Sequence, residues 1–180
     1  MKFEICEING LLIIEPDVFE DERGYFFESF SSLKYKEYMP DYNFVQDNIS
    51  KSRKNTLRGL HYQVGEAAQG KLCQVISGEV LDVAVDIRFD SPTFGRYKSV
   101  ILSSENKRQF WIPPGFAHGF SVLSEEAIFH YKCTSFYSKK NERCIIYNDK
   151  KLNINWGVEN PVLSPKDLLG KAFEEIEKDF

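Results

Sequence analysis

Histidine, methionine and tryptophan are scarce in this chain, with three, two and two in 180 residues. With so little methionine, the filling of a core falls to rigid rings, and 15 phenylalanines and 9 tyrosines supply them. The four cysteines, Cys6, Cys73, Cys133 and Cys144, show no Cys-x-x-Cys spacing and no secretory context. They read as reduced thiols of a cytoplasmic protein, used mainly as small buried hydrophobes. The early residues Met1-Lys2-Phe3-Glu4 contain no apolar core of signal-peptide length, and the longest early apolar run, 11–14, is short. No stretch approaches the ~18 apolar residues of a membrane span. Positive charge is not in excess either: 23 basic against 27 acidic side chains give −4, which argues against a nucleic-acid partner.

What is present reads as a globular protein of one domain spanning 1–180. An unfolded chain of this size buries about 70% of its surface on folding, enough for a core without staples. No linker, low-complexity stretch or internal repeat divides it. Short apolar or alternating runs recur at 11–14, 25–30, 44–48, 71–77, 79–86, 97–102, 109–112, 117–122, 127–134 and 144–147. Their lengths and their Val, Ile, Phe and Tyr content predict strands. Turn chemistry separates them at Asp21-Glu22-Arg23-Gly24, Ser77-Gly78, Asp90-Ser91-Pro92 and Pro113-Pro114-Gly115. The expectation is a mainly β, antiparallel sandwich or barrel with a few short peripheral helices. Helices are predicted at 31–39 and from Ser164 to the C-terminus. There Ser164 and Asp167 form a capping-box pattern, Pro165 suits the first turn, and Leu168, Ala172, Ile176 and Phe180 make an apolar stripe.

Each of the three histidines can be weighed singly. His130 alternates to the face opposite Phe129, Tyr131 and Cys133 and reads as structural. His118 closes a Pro-x-Gly-x-x-His string that, in an all-β chain, resembles the second motif of the cupin superfamily and implies a jelly roll. Metal-binding cupins place a His-x-His pair and a Glu in their first motif, whereas here the stretch reads His61-Tyr62-Gln63 with Glu66 out of position. Two histidines fall short of the three or four ligands a transition metal takes, so no metal or other cofactor is expected. Lys51, Arg53, Lys54 and Arg58 are a basic run without an acid. It is either a solvated loop or a site for a diphosphate or carboxylate, with Arg58, between Leu57 and Leu60, the member least suited to plain surface.

Nine ordered blocks carry a closer resemblance. They are 21–29 (Asp-Glu-Arg-Gly-Tyr-Phe-Phe-Glu-Ser), 44–48 (Phe-Val-Gln-Asp-Asn), 57–61 (Leu-Arg-Gly-Leu-His), 68–72 (Ala-Gln-Gly-Lys-Leu) and 82–88 (Asp-Val-Ala-Val-Asp-Ile-Arg). Further along come 111–120 (Trp-Ile-Pro-Pro-Gly-Phe-Ala-His-Gly-Phe), Tyr131-Lys132, Asn148-Asp149 and 163–167 (Leu-Ser-Pro-Lys-Asp). Together they resemble the dTDP-4-dehydrorhamnose 3,5-epimerase family over nearly the whole chain.

That resemblance implies a cupin-like jelly roll that inverts the two carbons flanking the C4 ketone of a dTDP-linked 4-keto-6-deoxy sugar, without a cofactor. It assigns His61 as base, Asp167 as the carboxylate that orients it, Tyr131 as the acid on the opposite face, and Lys71 as the cation beside the developing enolate. Substrate contacts carry over to Arg23, Glu28, Gln46, Asp47, Asn48, Arg58, His118, Glu142 and Lys166. Phe26 and Tyr137 are offered as walls for a base or sugar. The family is a homodimer in which the region around Arg23 and Glu28 is lent to the neighbouring subunit's site. Each assignment has a plainer counterpart: Asp167 as a helix-start residue, Tyr131 as core, Lys71 as surface. Epimerisation at one carbon, another nucleotide sugar, and a non-catalytic nucleotide-sugar-binding module are the competing functions.

Overall fold

The computed structural model describes residues 1–39 and 42–180. In chain order the strands are β1 (Lys2–Ile5), β2 (Leu12–Glu15), β3 (Val18–Asp21), β4 (Gly24–Phe27), β5 (Gln46–Arg53), β6 (Leu57–Gln63) and β7 (Lys71–Ser77). They continue with β8 (Glu79–Asp86), β9 (Tyr97–Ser103), β10 (Gln109–Ile112), β11 (Phe116–Val122), β12 (Glu126–Cys133) and β13 (Glu142–Cys144). One sheet has the order β1-β2-β10-β7-β12-β5, a second β13-β6-β11-β8-β9, and β3 and β4 form a separate hairpin. The strand pairs are antiparallel throughout. The predicted antiparallel jelly roll is the fold observed.

Side-chain alternation explains the layering. Between the sheets, Cys73, Phe110, Ile112 and Phe129 from the first meet Val80, Ala84, Leu102, Phe120 and Val122 from the second. Strand β8 is buried on both faces, since Val83 and Val85 turn outward under Leu152, Trp156 and Phe173 of the late chain. The outer face of the six-stranded sheet, at Leu12, Ile14, Leu72 and Trp111, is covered by Tyr35 and Met39. The aromatic excess is therefore spent in three layers. Cys6, Cys73 and Cys133 are buried free thiols, as expected, whereas Cys144 is only half-buried.

Several sequence expectations need correction. The helix predicted over 31–39 is a single turn, α1 (Ser32–Tyr35). The C-terminal helix does not form; the segment makes two isolated 3-10 turns, Asp167–Leu169 and Phe173–Glu175. Its capping box is nevertheless present: Asp167 N–H donates to Ser164 Oγ (3.2 Å) and Ser164 N–H to Asp167 Oδ2 (3.2 Å). The turn stops there because the following backbone is bonded elsewhere. Lys171 N–H donates to Cys144 O, Ile146 N–H to Lys171 O, and Phe173 N–H to Asp149 Oδ2. Long-range partners thus replace the i−4 ladder, and the stripe splits, with Phe173 buried and Leu168 and Leu169 exposed. Strands β1, β3 and β6 were not predicted, and β5 runs five residues past the expected 44–48 through a polar sequence.

Gly59 sets the approach of β6 to β11. Its φ is +138°, and a Cβ there would sit 2.5 Å from Gly119 Cα, so only glycine lets the two backbones meet. This closeness lies beside the register position where His61 faces His118.

Candidate active site

A cleft of about 490 Å³ opens between the sheets. The five-stranded sheet contributes Arg58 and His61 from β6 and His118 from β11; the six-stranded sheet contributes Asn48, Lys71 and Tyr131 from β5, β7 and β12. Glu142, Lys166 and Asp167 close one side.

His61 Nε2 lies 2.6 Å from Asp167 Oδ1. The buried carboxylate also accepts from Ser164 Oγ (2.6 Å) and the Gly59 amide (3.4 Å). Burial works to raise the Asp167 carboxyl, but the hydrogen bonds from His61 and Ser164 outweigh it and bring the pKa to about 2. The carboxylate is therefore ionised at neutral pH, fixes the ring, and leaves Nδ1 as the nitrogen with no protein hydrogen bond among the described residues. The predicted pairing of these two residues, 106 positions apart, is present.

A second imidazole–carboxylate pair stands nearby: His118 Nε2 is 2.6 Å from Asp82 Oδ1, both buried. Burial drives the His118 pKa down against the opposing pull of Asp82. Asp82 was not foreseen as a site residue, although a carboxylate at an inward position of an apolar strand was the signal available.

The Lys71 ammonium enters the cleft without an ion pair among the described residues, and burial lowers its pKa. Tyr131 packs against the inter-sheet core, on the face shared with Phe129 and Cys133, and burial raises its phenol to about 12. It is both core and cleft wall. Glu142 accepts from Lys166 and, at 3.1 Å, from Tyr137 Oη; Gln46 accepts from the Tyr137 amide at 3.0 Å and donates to Asn48 Oδ1 at 3.0 Å. Arg58 Nε donates to Ser52 Oγ at 3.1 Å. Of the basic run, Lys51 and Lys54 are ion-paired on the surface with Glu126 and Glu125, which leaves Arg58 as the member that lines the cleft.

Four sequence-derived contacts do not line this cleft within the chain; one of them, Gln46, reaches it only through its bonds to Asn48 and Tyr137. Asp47 points to the outer face, where it pairs with Lys132 (2.8 Å) and faces His130 (3.8 Å), because successive strand residues alternate and its neighbours Gln46 and Asn48 take the inner side. Arg23 is on the β3–β4 hairpin, bonded to Asp21, and Glu28, just after it, pairs with Lys34. Phe26 is on the same hairpin and is exposed. Glu66 lies outside the cleft, and His130 is bonded to Gln74 Nε2 (2.8 Å), in keeping with its structural reading.

Comparison with known proteins bears on this geometry. Residues 5–175 match the sequence model of the dTDP-4-dehydrorhamnose 3,5-epimerase family. A dTDP-4-dehydrorhamnose 3,5-epimerase of Shigella flexneri is 58% identical over 172 residues, 95% of each chain. A Legionella pneumophila dTDP-6-deoxy-D-glucose-3,5-epimerase, solved in complex with dTDP-4-keto-L-rhamnose, superposes with a TM-score of 0.94 at 53% identity, covering 98% of this chain and 94% of that one. A 3'-monoepimerase from Streptomyces bikiniensis, solved with dTDP-quinovose, has a TM-score of 0.89 at 30% identity, covering 94% and 86%.

Proposed function

The chain belongs to the dTDP-4-dehydrorhamnose 3,5-epimerase family, and from that membership we propose how its cleft performs the reaction. It is an isomerase that converts dTDP-4-dehydro-6-deoxy-D-glucose to dTDP-4-dehydro-L-rhamnose by inverting C3 and C5. Both carbons flank a ketone, so loss of either proton gives an enolate whose charge rests on the C4 oxygen. The protein must supply a base, a cation or donor for that oxygen, and an acid on the other face.

His61 takes the proton at Nδ1, and Asp167 at Nε2 stabilises the imidazolium as a carboxylate does for a triad histidine. Lys71, without a carboxylate partner among the described residues, serves the enolate oxygen. Tyr131, held protonated by its raised pKa, returns the proton to carbon. The observation that carries this assignment is the origin of base and acid. His61 stands on the five-stranded sheet and Tyr131 on the six-stranded sheet, so a sugar between them meets one on each face. A group acting from one face would return the proton to the side it left.

Arg58 and Lys166 suit the diphosphate, since guanidinium and ammonium groups match anionic oxygens. Gln46, Asn48 and Glu142 suit base and sugar edges, with Tyr137 as a wall. Arg23 and Glu28, remote from their own cleft on a hairpin that exposes Phe19 and Phe26, fit a homodimer in which each hairpin completes the neighbour's site. Among the described residues no helix is long and apolar enough to cross a membrane.

The test is incubation with dTDP-4-dehydro-6-deoxy-D-glucose in deuterated water, read by NMR. Deuterium at both C3 and C5 is expected. Label at one carbon would make the protein a single-carbon epimerase like the Streptomyces bikiniensis relative, and no label would leave a binding module.

A further inference from the structure

One thiol beside the dyad has no part in the reaction. Cys144 stands opposite His61 in the β13–β6 register. Its Sγ, a ring nitrogen of His61 and a carboxylate oxygen of Asp167 all lie within 4.8 Å of one another. The thiol's only hydrogen bond among the described residues is a long one, 3.5 Å, to its neighbour Ile145 O. Cys144 is half-buried and lines a second, shallow cleft with Tyr62 and Lys171, so a small ion reaches it without unfolding.

Thiolate, imidazole and carboxylate are the donor set of zinc and its softer relative cadmium, and three protein ligands plus water complete a tetrahedral shell. Ligand bonds of about 2.0–2.3 Å place the donors of such a shell some 3.3–3.6 Å apart. The Cys144 sulfur therefore has to close by at most about 1.5 Å, and the His61–Asp167 pair has to open from 2.6 Å by less than that. The geometry points to an inhibitory site for a thiophilic divalent cation, formed by Cys144, His61 and Asp167 at the edge of the active site.

The chemistry of occupation accounts for inhibition. The metal takes the Nε2 lone pair and the Asp167 oxygen. The proton formerly on Nε2 moves to Nδ1, and the thiol proton leaves to solvent as the sulfur–metal bond forms. Nδ1 then carries hydrogen and can accept no proton from the sugar. Binding stands on geometry alone; the loss of activity rests on the proposed role of His61, and the two are read separately.

Cadmium titration of the full-length protein, followed by the ultraviolet thiolate-to-cadmium charge-transfer band, reports binding without substrate. One equivalent is expected to saturate the band in wild type, and the band should vanish in Cys144→Ser and in Cys144→Ala. In the epimerase assay Zn²⁺ should inhibit wild type reversibly, with relief by chelator, while Cys144→Ser keeps its turnover and needs at least tenfold more Zn²⁺. Absence of the band, or its persistence in both variants, would overturn the site; persistence would assign the sulfur to buried Cys73, which lies in a separate cluster with Asp82 and His118. A band that depends on Cys144 with no inhibition would overturn the inhibitory role and count against His61 as the base.

Discussion

His118 Nε2 and Asp82 Oδ1 are 2.6 Å apart inside the barrel, and the other Asp82 oxygen, Oδ2, is buried with no partner among the described residues. A buried carboxylate held by one bond is an expensive way to orient a ring, and it makes the pair sensitive to neutralisation. In Asp82→Asn the charge that opposes the burial effect on His118 is gone, so the His118 pKa falls further and the ring loses its fixed partner. The variant should fold, titrate His118 at lower pH by NMR, and show KM raised about tenfold, the worth of one charged hydrogen bond. An unchanged KM would remove His118 from substrate binding.

Asp167 ties stability to acid. Its carboxyl lies at about 2 in the fold against 3.8 for an unperturbed aspartate, so its contribution is complete above pH 3.8 and disappears as pH falls toward 2. The shift corresponds to about 2 kcal/mol. Asp167→Asn should be less stable than wild type by about that amount at pH 7, with the gap closing in denaturant melts between pH 4 and 2. A gap independent of pH would assign the loss to packing instead.

Tyr131→Phe should separate proton removal from inversion. His61 still exchanges substrate hydrogen with solvent, while delivery from the opposite sheet is lost, so deuterium enters with retained configuration and inversion falls about 10²–10⁴-fold. Mass spectrometry of recovered substrate beside NMR of product checks this. Loss of exchange altogether would contradict the assignment.

Lys71→Met removes a cation that has no ion pair to break among the described residues, so the melting temperature should stay level or rise as a desolvated charge leaves the cleft. Turnover should fall about 10²–10³-fold, the cost of losing one donor to a developing oxyanion. A stability loss without a rate loss would return Lys71 to a structural role.

Strand identity was legible where both faces of a strand are apolar, as in β8, or alternate, as in β12. It failed at β1, β3 and β6 and over the polar second half of β5, Ser50-Lys51-Ser52-Arg53. In β6 the residues that obscured the strand, Arg58, Gly59 and His61, sit at or beside the cleft. The C-terminal segment failed for a different reason: its helical stripe and capping box are real local preferences, overridden by backbone bonds to Cys144, Ile146 and Asp149 that no local pattern reveals. That His61, Lys71, Tyr131 and Asp167 would share one cleft was an expectation from family blocks, not from spacing, and the fold does bring the four together. Arg23 and Glu28 were named in the same way, yet within a single chain neither lines the cleft that holds His61.

The dyad also has a temporal order. Asp167 follows His61 by 106 residues, so at ordinary synthesis rates of about 5–20 residues per second the imidazole is added to the chain about 5–20 s before its carboxylate exists. Through that interval the sheets can form while His61 has neither its fixed tautomer nor its counter-charge. On the proposed mechanism, catalytic competence is then conferred late in translation, by a turn that latches onto sheets whose strands have all been made.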